Sequence, residues 1–326
     1  MNGSSGAMSD GRVPLQPVAR VIPVGGGKGG VGKTFLVANL AARLAHEGYR
    51  VVAVDGDLEG ANLHTCLGVP RPRCSLADFV AEREDDIAKL LLETPIENLQ
   101  LIAATASNLA TPQPSQARRV RLVRALRRIP ADFVFVDLGA GTHPAVMDYF
   151  MIGEDGVVVI APEPTSVENA YAFLRAAFYR RLRLAMVSHD VRTVMTLAMD
   201  ERNERGIRTP IDLLREVEAI DSAEGARFVE TMRAFRPRII INDVRTAEDI
   251  QLGFSVRSVC RKYFGIDAEY LGYINHDEAA RRSVRARRPI VAAHPRSDAS
   301  IYIARIARKL LVPRPTGSSV PHPDSV

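Results

Sequence analysis

A glycine-rich segment that contains two lysines, residues 25–34, has the residue types and spacing of a phosphate-binding loop. It satisfies the pattern G-x-x-x-x-G-K-[ST] from Gly27 to Thr34. Glycines let consecutive backbone N–H groups converge on phosphate oxygens. Lys33 would place a positive charge at the β and γ phosphates, and the Thr34 hydroxyl suits Mg²⁺. The alternative, a turn without a ligand, is disfavoured because a strand pattern precedes the loop and a helical pattern follows it.

Acidic residues follow two other apolar runs. Asp137 stands between Phe-Val-Phe-Val and Leu-Gly-Ala-Gly, so we expect it to hold Mg²⁺ through water while the glycines let the next loop respond to the γ-phosphate. Asp55 and Asp57 follow Val-Val-Ala-Val. One of this pair would bind the water shell of the metal, and the other would position the attacking water. Turn-forming, solvated aspartates are the alternative in both places.

The elements that must position these residues alternate between short apolar runs and longer helical patterns. This alternation predicts an α/β fold, with a doubly wound, mainly parallel sheet flanked by helices and joined by right-handed crossovers. The predicted strands are 18–24, 50–55, 99–104, 133–137, 157–161, 239–242 and 270–274. The predicted helices are 33–47, 115–128, 144–151, 167–183, 248–264 and 297–311.

One stretch, about 185–237, shows charged helical patterns and no strand pattern. Inside it, Thr209-Pro210 has the form of an N-cap followed by proline at the first helical position. We interpret the stretch as a helical insertion, either a partner surface or a structural addition. It belongs to a single predicted domain, 18–312, which lies between a disordered leader, 1–17, and a disordered tail, 313–326.

Composition narrows the class of protein. The chain has 326 residues, 46% hydrophobic and 25% charged, which excludes extensive disorder. No apolar run is long enough to span a membrane. Three cysteines without a C-x-x-C pair argue against a disulfide framework or a zinc ribbon and predict a soluble cytoplasmic protein. The net charge of +5 is compatible with nucleic acid or an anionic surface as a partner.

At these motifs the sequence resembles the MinD/ParA family of deviant Walker ATPases, which are P-loop NTPases. The specific mark is Lys28, because ordinary phosphate loops have no lysine at that place. Asp57 and Asn62 match the first switch segment of the family, and Asp137 matches the second. Asn242 matches the residue that reads the edge of adenine. The segment Pro-Glu-Pro-Thr after the next predicted strand is a further match.

The resemblance implies ATP and Mg²⁺ as cofactors and assigns roles residue by residue. The predicted catalytic residues are Lys28, Lys33 and Asp57. The predicted metal site comprises Thr34, Asp57 and Asp137. The predicted nucleotide-binding residues are Gly27, Lys28, Gly29, Gly30, Val31, Gly32, Lys33, Thr34, Phe35, Asn62 and Asn242.

The family's activity implies a weak, Mg²⁺-dependent ATPase that a partner stimulates. ATP would close a homodimer through Lys28, and hydrolysis at Asp57 would release it. Such a switch positions or partitions a cargo such as the chromosome or the division or motility machinery, through a protein activator or cargo adaptor. The segments D-L-G-A-G and D-L-E-G-A-N-L-H are similar to the corresponding segments of FlhG/FleN-like members. A nucleotide-dependent regulator of a protein partner, without DNA binding, is therefore the alternative.

Several features separate this sequence from particular relatives. It lacks the D-Q-A-x-x-L-R motif of FlhG-like members. It also lacks their C-terminal amphipathic membrane helix, because the helical pattern at 301–311 has the character of a core helix. An iron–sulfur carrier of the Mrp or nitrogenase iron protein type would need paired cysteines. A bacterial tyrosine kinase would need a tyrosine cluster after Tyr302. Both alternatives are disfavoured.

Arginines are concentrated near the carboxyl end. The candidates for DNA contact are Arg281, Arg282, Arg285, Arg287 and Arg288, on one short predicted helix and its exit. A second basic group lies at 175–183. Dimers of this family are expected to hold the nucleoid through phosphate contacts without reading sequence, so non-specific DNA is a candidate partner and nucleoid association a candidate location. A solvated basic face in an arginine-rich proteome is the alternative.

Overall fold

The computed structural model describes residues 19–104, 115–153, 156–199, 206–207 and 209–312. The predicted leader and tail lie outside the described residues. The strands are β1 (Arg20–Gly25), β2 (Val51–Asp55), β3 (Leu92–Glu93), β4 (Leu99–Ile102), β5 (Phe133–Asp137), β6 (Val157–Ile160), β7 (Arg238–Val244) and β8 (Glu269–Asn275).

These strands form one sheet in the order β3-β4-β2-β5-β1-β6-β7-β8. Every neighbouring pair is parallel except β3 and β4, which are antiparallel. The predicted mainly parallel sheet is thus confirmed. The two-residue edge strand β3 was not predicted, because so short a segment leaves no periodic pattern in the sequence.

Helices cover both faces of the sheet. They are α1 (Lys33–His46), α2 (Leu63–Cys66), α3 (Leu76–Val80), α4 (Gln116–Leu126), α5 (Pro144–Phe150), α6 (Pro164–Ala185), α7 (His189–Met199), α8 (Pro210–Ile220), α9 (Ser222–Ala234), α10 (Ala247–Val259), α11 (Glu278–Arg285), α12 (Ile290–Ala293) and α13 (Asp298–Leu311). Side chains from α1, α2, α12 and α13 pack on one face, and those from α3 to α10 pack on the other. Because both faces are covered, the central strands are apolar on both sides.

The region between β6 and β7 contains α7, α8 and α9 after the long helix α6, and no strand within its described part. The N-cap at Thr209 forms as predicted, with a hydroxyl that accepts from the backbone N–H of Asp212 at 3.2 Å. Helix α6 begins at Pro164, three residues before the predicted start, and α10 ends in a π-helical turn at Cys260–Phe264. No helix of the described residues is long and apolar enough to cross a membrane.

The sheet brings the candidate residues to one edge. The phosphate loop joins β1 to α1, and the two acidic segments follow β2 and β5. In the register of the sheet, Asp137 at the end of β5 lies beside Val24 of β1 on one side and Asp55 of β2 on the other. The carboxyl ends of these three central strands therefore place loop and carboxylates next to each other.

Candidate nucleotide-binding site

The phosphate loop depends on glycine for two physical reasons. Gly30 and Gly32 have left-handed backbones, with φ of 81° and 94°, which residues with a Cβ adopt at a cost. Gly27 lies under α6, and a methyl group there would be 1.9 Å from the carbonyl oxygen of Asn169. Gly32 is also the N-cap of α1, so the positive end of that helix points into the loop.

Lys33, the first residue of α1, is turned into the protein and is only 8% exposed. Its ammonium group donates to the carbonyl oxygen of Lys28 at 3.3 Å. Burial lowers the pKa of Lys33, while the nearby carboxylates of Asp137 and Asp57 act in the opposite direction. This cation is therefore held between the loop and the acidic strand ends, the position that a phosphate-binding lysine needs.

Asp137 and Thr34, two of the residues predicted to hold Mg²⁺, lie in contact with each other. Its side chain is buried, it receives a hydrogen bond from the Thr34 hydroxyl, and its Oδ1 atom has no hydrogen-bond partner among the described residues. Burial raises the pKa of Asp137 to about 7. A hydroxyl and a carboxylate oxygen are the donors that Mg²⁺ takes beside phosphate and water. Within the described part of the chain no cluster of three His, Cys, Asp or Glu side chains is placed to hold a metal ion.

Asp55 and Asp57, the two acidic residues at the end of β2, lie in different environments. Asp55 is fully buried, and its carboxylate accepts from the backbone N–H groups of Asp57 and Leu63, both at 3.2 Å. Burial, followed by the proximity of Asp137, raises the pKa of Asp55 to about 8. Asp55 thus organises the loop instead of facing a ligand. Asp57 is half-buried and accepts from the backbone N–H of Gly60 at 2.8 Å.

The cleft for the rest of a nucleotide lies between the loop, the end of β7 and α11. It encloses about 450 Å³, and Gly30, Val31, Gly32, Phe35 and Asn242 are among the residues that line it. The amide of Asn242 donates to the carbonyl oxygen of Val31 at 2.9 Å. Asn62 stands apart, on the exposed loop of Asp57, where its amide donates to the Gly60 carbonyl oxygen at 2.6 Å.

Lys28 has an environment opposite to that of Lys33. Its ammonium group lies 2.6 Å from Oε2 of Glu163 and 2.9 Å from the Thr165 hydroxyl, with exposed fractions of 36% for Lys28 and 60% for Glu163. Glu163 and Thr165 belong to the Pro-Glu-Pro-Thr segment that opens α6, and sequence reasoning assigned them no contact. The signal that could have found the pair is the position of that segment at the end of β6, the neighbour of β1.

The predicted DNA-contacting arginines line three adjoining recesses. Arg281 and Arg285 line the nucleotide cleft, Arg282 lines the recess next to it, and Arg287 and Arg288 line a third one. All five side chains are exposed. A helix turns by 100° per residue, so Arg281 and Arg285, four residues apart, lie on one side of α11, whereas Arg282 points in another direction. DNA binding by these residues stays a prediction.

Fold and site together define a P-loop nucleotide-binding protein. The model of the "CobQ/CobB/MinD/ParA nucleotide binding domain" family matches residues 22–290, so the chain belongs to this family, as its motifs predicted.

Three relatives illustrate the family. The chain is 27% identical to the antiactivator FleN of Pseudomonas aeruginosa over 299 residues, which are 91% of this chain and 87% of FleN. It is 31% identical to a putative septum site-determining protein MinD of Oltmannsiellopsis viridis, over 48% of this chain and 49% of that protein. The solved MinD of Pyrococcus horikoshii, complexed with Mg-ADP, has the same fold, with a TM-score of 0.62 and 20% identity over 90% of this chain and 96% of that one.

Proposed function

We propose that this protein is a Mg²⁺-dependent ATPase that acts as a dimerisation switch and positions or partitions a cellular cargo. The observation that carries the proposal is the opposite orientation of the two loop lysines. Lys33 is buried against the acidic strand ends, while Lys28 is on the exposed side of the same loop. A buried lysine can serve only its own subunit, whereas an exposed lysine beside the phosphates is accessible to a second subunit.

The residues of the site divide the work as follows. Backbone N–H groups of the loop and the ammonium group of Lys33 bind phosphate, and Asn242 holds the base side of the cleft against the loop. Thr34 and Asp137 supply oxygens for Mg²⁺, which neutralises charge on the phosphates when it is bound. Asp57 orients the attacking water. The Mg-ADP of the Pyrococcus MinD supports this choice of cofactors.

We expect a weak basal ATPase activity because the carboxylate of Asp57 is hydrogen-bonded within its own loop. Its Oδ1 atom is engaged by the backbone N–H groups of Glu59 at 3.2 Å and Gly60 at 2.8 Å. The loop after β5 lies close by, since a methyl group at Gly139 would be 3.4 Å from the carboxylate carbon of Asp57. Turnover needs this carboxylate to leave its own loop and face the water. A partner that changes the loop would therefore stimulate hydrolysis.

A second candidate function is that of a nucleotide-dependent regulator of a protein partner, without DNA. The match to an antiactivator over 91% of the chain favours it. An iron–sulfur carrier is disfavoured, because the three cysteines, Cys66, Cys74 and Cys260, form no C-x-x-C pair and Cys260 is buried.

The test is the mass of the Asp57→Ala protein by light scattering, with ATP and with ADP, each with and without duplex DNA. This variant is expected to bind ATP without turnover and to accumulate as a dimer with ATP alone. Asp190→Ala, which removes an exposed acid of α7, is the matched control and should keep normal hydrolysis. Lys28→Ala should bind ATP and remain a monomer.

The outcomes separate the candidates. An ATP-dependent dimer that migrates with DNA supports the nucleoid-bound positioning switch. An ATP-dependent dimer that ignores DNA supports the regulator of a protein partner. A mass that is independent of nucleotide contradicts both, because each requires the closed dimer.

A further inference from the structure

A recess on the α1 face of the sheet lies outside the nucleotide site. It encloses about 890 Å³ between α1, the exit of α2, the segment before β4 and the start of α12. Its exposed apolar residues include Pro70, Pro95 and Pro295, whereas Leu67, Ile96 and Val291 of the lining are buried. We call it the Arg287 groove, because Arg287 and Arg288 line its opposite side.

Arg287 and Arg288 give this side of the groove a positive charge. Both side chains are exposed, and neither forms an ion pair or a side-chain hydrogen bond with another described residue. Arg43, a third cation of the lining, is engaged by Glu47 at 2.8 Å. Glu97 is the acidic residue of the lining. Arg71, which directly follows the lining residue Pro70, is also exposed.

The turn at Arg287 ends helix α11 and forms one wall of the groove. The φ of Arg287 is 52°, the left-handed conformation that commonly terminates a helix. Its N–H donates to the carbonyl oxygen of Val284, and the N–H of Arg288 donates to the carbonyl oxygen of Ser283. The carbonyl oxygen of Arg287 would be 3.1 Å from a methyl group placed at Gly68, so this turn packs closely on the exit of α2.

The groove touches both segments that frame the nucleotide site. Leu67 directly follows the short helix α2. That helix begins immediately after Asn62, the last residue of the loop that contains Asp57. Arg287 follows α11, whose Arg281 and Arg285 line the nucleotide cleft. Anything bound in the groove therefore contacts the exit of α2 and the turn that follows Arg285, a residue of the nucleotide cleft.

We propose that the Arg287 groove binds an acidic peptide segment of a protein partner. Carboxylates of the segment pair with Arg287 and Arg288, and an aliphatic side chain packs on the exposed rings of Pro70, Pro95 and Pro295. Charge complementarity selects an acidic occupant, and the apolar lining selects a peptide over duplex DNA, whose phosphates gain nothing from an apolar recess. The inference rests on the proposed function in one respect, that a protein partner exists.

The experiment pans a phage library of random dodecapeptides against the immobilised full-length protein without nucleotide. We expect enriched sequences in which Asp or Glu flanks Leu, Ile, Val or Phe. The best synthetic peptide, followed by fluorescence anisotropy, should bind the Arg287→Glu/Arg288→Glu variant at least about tenfold more weakly, since two charge-assisted contacts become repulsive. Melting curves establish that the variant is folded.

The matched control is Arg215→Glu/Arg308→Glu, which reverses two exposed arginines on α8 and α13 and should change affinity by less than about twofold. Selection of basic peptides, of no peptide family, or of peptides insensitive to the Arg287/Arg288 reversal would overturn the inference. Loss of duplex DNA binding in the reversed variant, without any acidic peptide, would assign the groove to nucleic acid instead. Because panning omits ATP, failure here leaves the dimerisation switch to be judged by its own test.

Discussion

The phosphate loop and the arginine-rich segment 281–288 both concentrate charged or ligand-binding residues, and the fold uses them in opposite ways. In the loop, residues close in sequence converge on one site at the ends of β1, β2 and β5. In the arginine segment, residues equally close in sequence line three adjoining recesses. The difference is one of backbone geometry: a left-handed glycine loop curls its N–H groups inward, whereas a helix distributes side chains around its axis.

The contrast has a practical consequence for function. A spacing pattern in a loop that requires glycine predicts a site, because few backbones satisfy it. A count of arginines on a helix predicts only a charged segment, and the tertiary structure decides which of them act together. The predictions below test this contrast, beginning with the residue on which the loop most depends.

Lys33→Ala should lower the affinity for ATP by at least about 100-fold, because a partly desolvated phosphate loses its paired cation. Isothermal titration calorimetry with Mg-ATP measures the change. Lys89→Ala, which removes an exposed lysine paired with Glu84, should bind normally. Tight binding by Lys33→Ala would mean that the loop is not the phosphate site.

The buried acids at the strand ends should make the nucleotide-free protein less stable as the pH rises from 5 to 8. The pKa of Asp55 is raised to about 8 and that of Asp137 to about 7, so in this range the folded state holds protons that the unfolded state has released. The free energy of unfolding should then fall by up to about 1.4 kcal/mol per pH unit for each carboxyl group.

Urea unfolding at several pH values, without Mg²⁺, measures this slope. Asp55→Asn should flatten it, whereas Asp190→Asn, at an exposed position, should leave it unchanged. A stability that increases between pH 6 and 8 would contradict the burial of neutral carboxyl groups.

The arginine segment should respond unevenly to substitution. Arg281→Ala/Arg285→Ala should weaken ATP binding by about five- to tenfold, because these side chains line the nucleotide cleft. Arg287→Ala/Arg288→Ala should change it by less than about twofold, since they line a different cavity. If the two pairs of substitutions changed ATP affinity equally, the arginines of this segment would act as one functional surface.

The smallest expected effect is at Glu163. Its ion pair with Lys28 is largely exposed, so it contributes less than about 1 kcal/mol, and Glu163→Gln should strengthen ATP-dependent dimerisation by at most about fivefold. Analytical ultracentrifugation across a concentration series measures the shift. Glu168→Gln, an exposed position in the same helix, is the control. Weaker dimerisation in Glu163→Gln would mean that the pair assists the dimer.

Sequence reasoning reached the sheet class, six of the longer helices within a few residues and the phosphate loop, since each of these has a local signal. It placed Asp137 beside the loop because the carboxyl ends of parallel strands share an edge. It expected one of Asp55 and Asp57 to bind the water shell of the metal and the other to position the attacking water. In the structure, burial and two backbone hydrogen bonds hold Asp55 within the loop. Burial of a strand-end acid depends on what covers it, which no local pattern encodes.

By itself, the sequence determined the phosphate loop of this protein, because the order of glycines, lysines and threonine dictates a backbone that only a few conformations satisfy. The tertiary structure decided which charges meet. It joined Lys28 to Glu163 across 135 residues and separated Arg285 from Arg287 across two. Such encounters are set by how helices and strands pack, and packing is a property of the whole chain.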